Sequence, residues 1–239
     1  EGISNGGIYG DVIEEIDFNV GRILDHLKEL AIEENTLVVY TSDNGPWLVM
    51  GDRGGSADPL FEGKMTRFEG GQRVPCVIKW PARIPAGTVS HEILTTMDLF
   101  PTLAQLAGAG LPEKALDGKN MLGILTGTDR SPIHDAFYYH TLAVRQGDWK
   151  YHKKELFKVK ETKRELNGPT LYNLAEDIGE TVNLIEQYPE KANALRRMLE
   201  EFAFDVSVNR TLQNSSFEKG KRGIQFWKSS FGVCGSSEN

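Results

Sequence analysis

Two adjacent side chains, Asp43 and Asn44, offer a carboxylate oxygen and an amide oxygen directly after a short apolar run. Open α/β sheets bind ligands beyond the carboxyl ends of their strands, so we expect both oxygens to face such a crevice. Hard oxygen donors suit Ca²⁺, with Mg²⁺ as the alternative, although two residues supply only part of the roughly six to eight ligands that calcium takes. The simpler interpretation is a turn that follows a strand.

Lys64 is the second candidate, in the glycine-flanked segment of residues 63–71. The chain could return here to the same crevice, where the Lys64 ammonium would act as a point charge for an anionic ester. The alternative is an ordinary lysine in solvent.

The elements that must position these residues follow an α/β pattern. Apolar side chains recur every three or four residues between residues 10 and 32, which predicts an amphipathic helix with Asp11 as its N-cap. Residues 37–42 form a continuous, β-branched run, typical of a strand buried on both faces of a parallel sheet. The loop over residues 43–71 is much longer than an ordinary connection, and such loops are commonly functional.

A second strand is predicted over residues 73–80, where Cys76 is expected to be a buried, unreactive thiol. Asp98 is expected to cap the next helix, which should end at Gly108.

The composition changes near residue 130, which predicts a boundary between residues 1–130 and residues 131–239. Beyond the boundary the pattern becomes hairpin-like, and a helix follows Pro189. The tail after Asp205 is polar and predicts no firm structure. The hairpin-like segments are residues 136–144, 148–159 and 171–174.

Charge and hydropathy exclude several classes of function. The chain has 27 Lys and Arg against 34 Asp and Glu, a net charge of −7, and this is not the basic footprint of a nucleic-acid-binding protein. No run approaches the ~18 apolar residues of a membrane span. The first residues show neither an initiator Met nor a signal peptide, so we expect the chain to begin within a longer protein.

Several motifs occur in a fixed order between about residue 6 and residue 202. They are Tyr9-Gly10-Asp11, Tyr40-Thr41-Ser42-Asp43-Asn44-Gly45-Pro46, Gly63-Lys64, Glu69-Gly70-Gly71, Arg73-Val74-Pro75, Met97-Asp98-Leu99-Phe100-Pro101-Thr102-Leu103, Arg145-Gln146-Gly147-Asp148-Trp149-Lys150 and Leu171-Tyr172-Asn173-Leu174. This order closely resembles the type I sulfatases and is most similar to the arylsulfatase A and galactosamine-6-sulfatase branch.

The resemblance implies the alkaline-phosphatase-like sulfatase fold, an α/β architecture in which a mixed sheet lies between helices and a smaller C-terminal antiparallel sheet carries a helix. Residues 1–130 would then be the C-terminal part of the catalytic core, and residues 131–239 a smaller α+β domain with a polar tail. It also implies a sulfuric ester hydrolase in which Asp43 and Asn44 bind Ca²⁺ and Lys64 contacts the sulfate. The metal would polarise sulfate oxygens while the lysine stabilises developing negative charge.

The sequence also departs from the family pattern. Members carry a Cys or Ser in a C/S-x-P-x-R motif, which is oxidised to formylglycine and supplies the nucleophile, and neither Cys76 nor Cys234 fits that motif. The resemblance therefore predicts the C-terminal half of a sulfatase, inactive by itself, with formylglycine in the N-terminal half. The paired aspartates that complete the metal site are also absent, so only weak Ca²⁺ binding is expected.

His140 and His152 lie in the predicted hairpins, which in the family help to wall the substrate pocket. Either could contact the alcohol part of a substrate, and the alternative is a surface histidine. Residues 150–164 hold seven Lys and Arg against two Glu, which could attract a sulfated polysaccharide or form the solvated face of a hairpin.

Two other functions remain open: a non-catalytic glycan-binding module, and a phosphate-ester hydrolase of the alkaline phosphatase superfamily. By resemblance the protein is lysosomal, secreted or periplasmic. The acceptor patterns at Asn209 and Asn214 would be glycosylated only in a secretory pathway. The expected partner is a sulfate ester, either an aryl sulfate or a sulfated glycan or lipid.

Overall fold

The structure is a computed structural model that describes residues 4–153 and 168–218, with side chains in the last helix up to residue 209. Residues 154–164 of the lysine- and arginine-rich stretch 150–164, which we call the basic segment, lie outside the described residues, as do Cys234 and the side chain of Asn214. The described helices are α1 (Gly7–Glu29), α2 (Glu69–Gln72), α3 (Leu99–Leu106), α4 (Leu122–Thr126) and α5 (Pro189–Glu218). The strands are β1 (Val38–Thr41), β2 (Cys76–Lys79), β3 (Phe137–Tyr139), β4 (Ala143–Gln146), β5 (Trp149–His152) and β6 (Thr170–Asn173).

Helix α1 begins one turn earlier than the sequence predicts. Its N-cap is Gly6, so the prediction of Asp11 as the cap is wrong. The Asp11 carboxylate instead accepts a hydrogen bond from the Ser4 backbone N–H at 2.9 Å, in the segment that precedes the helix. No residue of α1 is buried. Its apolar side chains therefore form an exposed stripe, which includes Ile8, Val12, Ile13, Ile16 and Ile23.

Strand β1 pairs antiparallel with β2, with Val38 opposite Lys79 and Thr41 opposite Cys76. The predicted parallel, doubly buried strand is therefore wrong for the described residues, where β1 is only partly buried. Strand β2 has β1 as its one neighbour in this two-stranded sheet. The Cys76 side chain is accordingly exposed, which contradicts the predicted buried thiol.

Asp98 directly precedes α3, as predicted, but its carboxylate does not bond to that helix. It reaches back to the Thr95 N–H at 2.6 Å and also accepts from the Lys119 N–H at 2.7 Å. His134 Nε2 lies 2.9 Å from the same fully buried carboxylate. Asp98 therefore joins three segments, on both sides of the predicted boundary near residue 130. The boundary itself stays a prediction.

Strands β3 to β6 form an antiparallel sheet in chain order, which agrees with the predicted hairpins. The first predicted hairpin segment is divided into β3 and β4 by a turn at His140, whose φ is 55°. Helix α5 packs against β4 and β5 and continues beyond residue 205 to Glu218, so it is longer than the sequence indicates.

The main core lies between this sheet and α5. Its buried members are Val144, Tyr151, Leu171, Ala192, Leu195 and Leu199. Burial of one such leucine contributes about 2 kcal/mol, so this interface is the principal hydrophobic support of the C-terminal part. None of the described helices is long and apolar enough to cross a membrane.

Candidate active site

Asp43 and Asn44 begin the loop that follows β1, which we call the Asp43 loop (residues 43–47). Asp43 is exposed and Asn44 is half-buried. The Ser42 hydroxyl donates to the Asn44 carbonyl oxygen at 3.2 Å, which turns the chain away from the strand. The end of the strand therefore presents both side chains at the surface of the loop.

Lys64 lies in a second loop, the Lys64 loop (residues 61–72), which is hydrogen-bonded to the first. The Lys64 N–H donates to the Pro46 carbonyl at 2.9 Å, and the Gly45 N–H donates to the Gly71 carbonyl at 3.1 Å. The exposed Lys64 ammonium lies 5.5 Å from the centre of the Trp47 ring, within cation–π range. The structure thus brings the Lys64 loop against the Asp43 loop, while a role of Lys64 toward an anionic ester stays a prediction.

Glycine is required where the two loops touch. A Cβ atom on Gly45 would lie 1.7 Å from the Gly70 carbonyl oxygen, and one on Gly63 would lie 2.4 Å from the Pro46 carbonyl oxygen. Real Cβ contacts of this kind do not occur, so only glycine lets the two backbones approach this closely. The glycines that flank Lys64 therefore serve loop packing.

The donor chemistry of the Asp43 loop fits a hard divalent cation. Asp43 supplies a carboxylate and Asn44 an amide oxygen, the ligand types that Ca²⁺ and Mg²⁺ prefer. Over residues 4–153 and 168–218, no group of three or more His, Cys, Asp or Glu side chains could hold a metal ion. Asp43 and Asn44 remain the predicted oxygen donors for such a site.

The two candidate histidines occupy different environments. His140 is exposed in the turn between β3 and β4. His152 is only 2% exposed, and its Nε2 lies 3.0 Å from Glu180 Oε1 while its ring stacks on Phe68 with centroids 4.6 Å apart. Burial lowers the pKa of His152, although the hydrogen bond to Glu180 opposes the shift. The structure therefore does not bring the His152 ring to the exposed Asp43 loop.

A buried group of charged residues lies behind the Lys64 loop, and sequence reasoning did not single it out. We call it the Glu69 cluster. Its members are Glu69, Tyr139, Arg145, Lys150, His152 and Glu180.

Glu69, at the start of α2, is the centre of this cluster. Its Oε1 accepts from the Tyr139 hydroxyl at 2.5 Å and from Lys150 Nζ at 2.8 Å. Its Oε2 accepts from Arg145 at 3.2 Å. Although burial raises the pKa of Glu69, Lys150, the Tyr139 hydroxyl and Arg145 together outweigh burial and hold that pKa below its usual value. Burial, followed by the charge of Glu69, raises the pKa of Tyr139 well above its usual value.

Lys150 lies between two carboxylates. Its ammonium is 3.1 Å from Glu180 Oε1 as well as 2.8 Å from Glu69, and its side chain is fully buried. Glu180 Oε2 also accepts from the Glu69 backbone N–H at 2.8 Å. Of residues 150–164 the structure describes 150–153, and within them the alternative of a solvated face is wrong for the buried Lys150 and His152, whereas Lys153 is exposed.

The alternation of side chains along β5 was the one feature of the sequence that pointed to the Glu69 cluster. Trp149 and Tyr151 point to α5, so Lys150 and His152 must lie on the opposite face of the sheet. That face is covered by the Lys64 loop, whose Phe68 packs with Tyr172 and Leu174. Because the covering segment is distant in sequence, alternation alone could not show that this face is buried.

Comparison with known proteins decides which family the chain belongs to. The family model described as Sulfatase matches residues 7–109, and the model described as N-sulphoglucosamine sulphohydrolase, C-terminal, matches residues 59–205. The chain belongs to the sulfatase family. The resemblance inferred from the ordered motifs is thereby confirmed.

Among curated relatives, this sulfatase chain is 47% identical over 159 residues to N-acetylgalactosamine-6-sulfatase from Canis lupus familiaris, covering 63% of the chain and 30% of that protein. It is 36% identical over 219 residues to human arylsulfatase A, covering 82% of the chain and 43% of that protein. The chain therefore spans less than half the length of the curated relatives that it matches.

Solved sulfatases share the fold. A Bacteroides thetaiotaomicron sulfatase, solved in connection with the metabolism of multiple glycosaminoglycans, matches with a TM-score of 0.71 and 29% identity over 85% of this chain and 46% of its own. A sulfatase from Pseudoalteromonas sp. matches with a TM-score of 0.69 and 27% identity, over 80% of this chain and 41% of its own. The expected alkaline-phosphatase-like sulfatase fold is confirmed.

Proposed function

We propose that this sulfatase-family chain is part of a sulfuric ester hydrolase in which Asp43 and Asn44 help to hold Ca²⁺ and Lys64 binds the sulfate group. The observation that carries the proposal is the direct hydrogen bonding between the Asp43 and Lys64 loops. It brings two oxygen donors for a hard cation and a cationic donor for an anion into one surface region.

Each of these side chains has a distinct task. The Asp43 carboxylate supplies negative charge to a cation, and the neutral Asn44 amide supplies a second oxygen without adding charge. Ca²⁺, when bound, would supply Lewis-acid stabilisation of sulfate oxygens. The Lys64 ammonium donates hydrogen bonds to the sulfate and offsets the negative charge that develops on it. The Trp47 ring, 5.5 Å from the Lys64 ammonium, favours this position of the side chain through a cation–π contact.

The remaining groups come from outside residues 1–239. Formylglycine requires a C/S-x-P-x-R motif, which this sequence does not contain. The isolated 239-residue chain is accordingly expected to release no sulfate. His140, exposed in the C-terminal sheet, is our candidate for contact with the alcohol part of the substrate, and we do not assign this role to the enclosed ring of His152.

Sulfate release by the full gene product tests the proposal. Lys64→Met should lower kcat by about 10²–10³-fold on an aryl sulfate, the usual cost of one charge-stabilising donor. Lys114→Met, which removes another exposed lysine, is the matched control and should leave kcat unchanged. Removal of Ca²⁺ by a chelator should abolish activity, and added Ca²⁺ should restore it.

Three results would contradict the proposal. The first is a Lys64→Met variant with nearly full activity. The second is hydrolysis of the matching phosphate ester in preference to the sulfate ester, which would favour a phosphate-ester hydrolase. The third is glycan binding without any turnover by the full gene product, which would favour a binding module.

The compartment is also a proposal. Resemblance to lysosomal, secreted and periplasmic sulfatases supports a location outside the cytosol, and the acceptor pattern at the exposed Asn209 is compatible with it. Fractionation of the producing cells tests this, and retention of the full gene product in the cytosol would contradict it.

A further inference from the structure

We infer that the Glu69 cluster is a positioning device for the active site, which fixes the Lys64 loop and, through it, the Asp43 loop on the C-terminal sheet. The inference rests on the proposed function, because it assigns to buried residues the task of orienting Lys64 and Asn44. Glu69 is then a positioning residue that acts through the backbone and does not touch the substrate.

The first step is the attachment of Glu69 to the sheet. Tyr139 of β3, Arg145 of β4 and Lys150 of β5 all donate to its carboxylate, so three neighbouring strands hold one side chain. Glu180, which follows β6, accepts from the Glu69 backbone N–H at 2.8 Å. Both the side chain and the main chain of Glu69 are therefore fixed.

The second step runs from Glu69 to Lys64 through backbone contacts. The Gly70 N–H donates to the Phe61 carbonyl at 2.9 Å, which closes the Lys64 loop at its base. A Cβ on Gly71 would lie 2.5 Å from the Gly63 carbonyl and 2.7 Å from the Thr66 carbonyl, so this backbone packs directly beneath Lys64. The Thr66 hydroxyl donates to the Gly63 carbonyl at 2.8 Å and completes the turn that carries Lys64.

The third step reaches the Asp43 loop. The Gly71 carbonyl, two residues after Glu69, accepts from the Gly45 N–H at 3.1 Å, next to Asn44 in the chain. Movement of α2 away from the sheet would therefore shift both candidate loops together. An error of about 1 Å in the placement of a catalytic group can cost 10²-fold in rate.

The charges of the cluster explain why a carboxylate is needed at position 69. With His152 neutral, Glu69 and Glu180 balance Lys150 and Arg145, and each buried charge has an opposite partner. Loss of the Glu69 charge would leave Lys150, whose side chain is fully buried, with one carboxylate for support. Five members of the cluster are only 0 to 3% exposed, so a substrate at the surface cannot contact them: Glu69, Tyr139, Lys150, His152 and Glu180.

A double-mutant cycle in the full gene product separates positioning from general stability. Glu69→Gln should lower kcat on an aryl sulfate by at least about tenfold and raise the Ca²⁺ concentration needed for half-maximal activity several-fold. Glu200→Gln, which removes a carboxylate from the exposed ion pair with Arg196, is the matched control and should change neither quantity. At saturating Ca²⁺, where weaker binding through Asn44 is compensated, the remaining effect of Glu69 acts through Lys64, so Glu69→Gln should cost little further kcat in the Lys64→Met background.

A second variant covers the case in which Glu69→Gln does not fold. Tyr139→Phe removes one hydroxyl, and with it the 2.5 Å hydrogen bond to Glu69, while the aromatic ring is kept. Tyr139→Phe should lower kcat several-fold, and this loss should also become small in the Lys64→Met background. Thermal unfolding curves verify that each variant is fully folded at the temperature of the activity assay.

The inference is overturned if Glu69→Gln and Tyr139→Phe retain the kcat and Ca²⁺ requirement of Glu200→Gln. It is also overturned if, at saturating Ca²⁺, their losses of kcat multiply with that of Lys64→Met, because a structural defect would act independently of Lys64. These outcomes differ from failure of the proposed function, in which Lys64→Met itself has no effect. That last result would remove the basis of both proposals.

Discussion

Replacement of Gly45 by alanine should separate the Asp43 and Lys64 loops while it changes no charge and no side-chain donor. The new Cβ atom would lie 1.7 Å from the Gly70 carbonyl oxygen and 2.8 Å from the Gly70 carbonyl carbon. Ordinary contacts between such atoms are about 3.5 Å. Because both atoms belong to backbone, no side chain can rotate away, and the loops must move apart.

The expected cost follows from that movement. Overpacking of a close contact costs typically about 1–3 kcal/mol, and loss of the hydrogen bond from the Gly45 N–H to the Gly71 carbonyl costs about 1 kcal/mol more. The free energy of unfolding should therefore fall by about 2–4 kcal/mol. A displacement above 1 Å between Asn44 and Lys64 should lower kcat by roughly 10²-fold.

Urea unfolding and sulfate release by the full gene product measure the two effects. Gly21→Ala is the matched control, because nothing lies within 4 Å of a Cβ at this position inside α1. In a helix interior this change should be neutral or stabilising by up to about 1 kcal/mol. A Gly45→Ala protein with the stability and kcat of Gly21→Ala would refute the argument that the two backbones are in contact.

Three further predictions concern the framework of the site. Leu195→Ala, at a side chain with no exposed surface, should lower the free energy of unfolding by about 2–5 kcal/mol in urea, and a loss below about 1 kcal/mol would contradict the packing. Asp98→Ala should cost about 2–4 kcal/mol in the same assay, because the part-buried backbone N–H groups of Thr95 and Lys119 and the ring of His134 lose their hydrogen-bond partner. Burial lowers the pKa of His152, so in acid the unfolded chain takes up a proton before the folded protein does. Stability should therefore fall as pH drops below about 6.5, and His152→Asn should reduce this slope; an unchanged slope would contradict the prediction.

The sequence was most informative about features that are set by residues close together in the chain. The oxygen donors of Asp43 and Asn44, the glycines that flank Lys64, and the alternation of apolar residues in β5 are all local patterns. Their order along the chain was enough to indicate the sulfatase fold. For Lys64 the sequence left two interpretations open, a return to the same crevice and an ordinary lysine in solvent, because the backbone contacts that join the loops have no local pattern.

Features that depend on distant contacts could not be inferred in the same way. The apolar spacing of α1 predicted an amphipathic helix, but spacing carries no information about whether another element covers that face, and in the described residues the stripe is exposed. The β-branched run of β1 predicted a strand without revealing that its partner, β2, is antiparallel. Exposure of Cys76 follows from that pairing.

The Glu69 cluster was missed for a related reason. A lysine on a strand, two residues from a histidine on the same face, is ordinarily solvated. Burial of Lys150 requires Glu69 and Glu180, which lie 81 residues before and 30 residues after it. No local pattern connects three segments so far apart. Only their assembly shows that the charges are paired.

The complete burial of Lys150 also provides a reporter of loop opening. Its ammonium lies between two carboxylates beneath the Lys64 loop, so an acylating reagent can reach the amine only when that loop lifts from the sheet. Acylation forms a permanent amide bond, and every opening event that lasts long enough is thereby recorded in the covalent structure. In excess reagent, the rate at which Lys150 is labelled, compared with the exposed Lys114, would report how often the Lys64 loop detaches from the sheet.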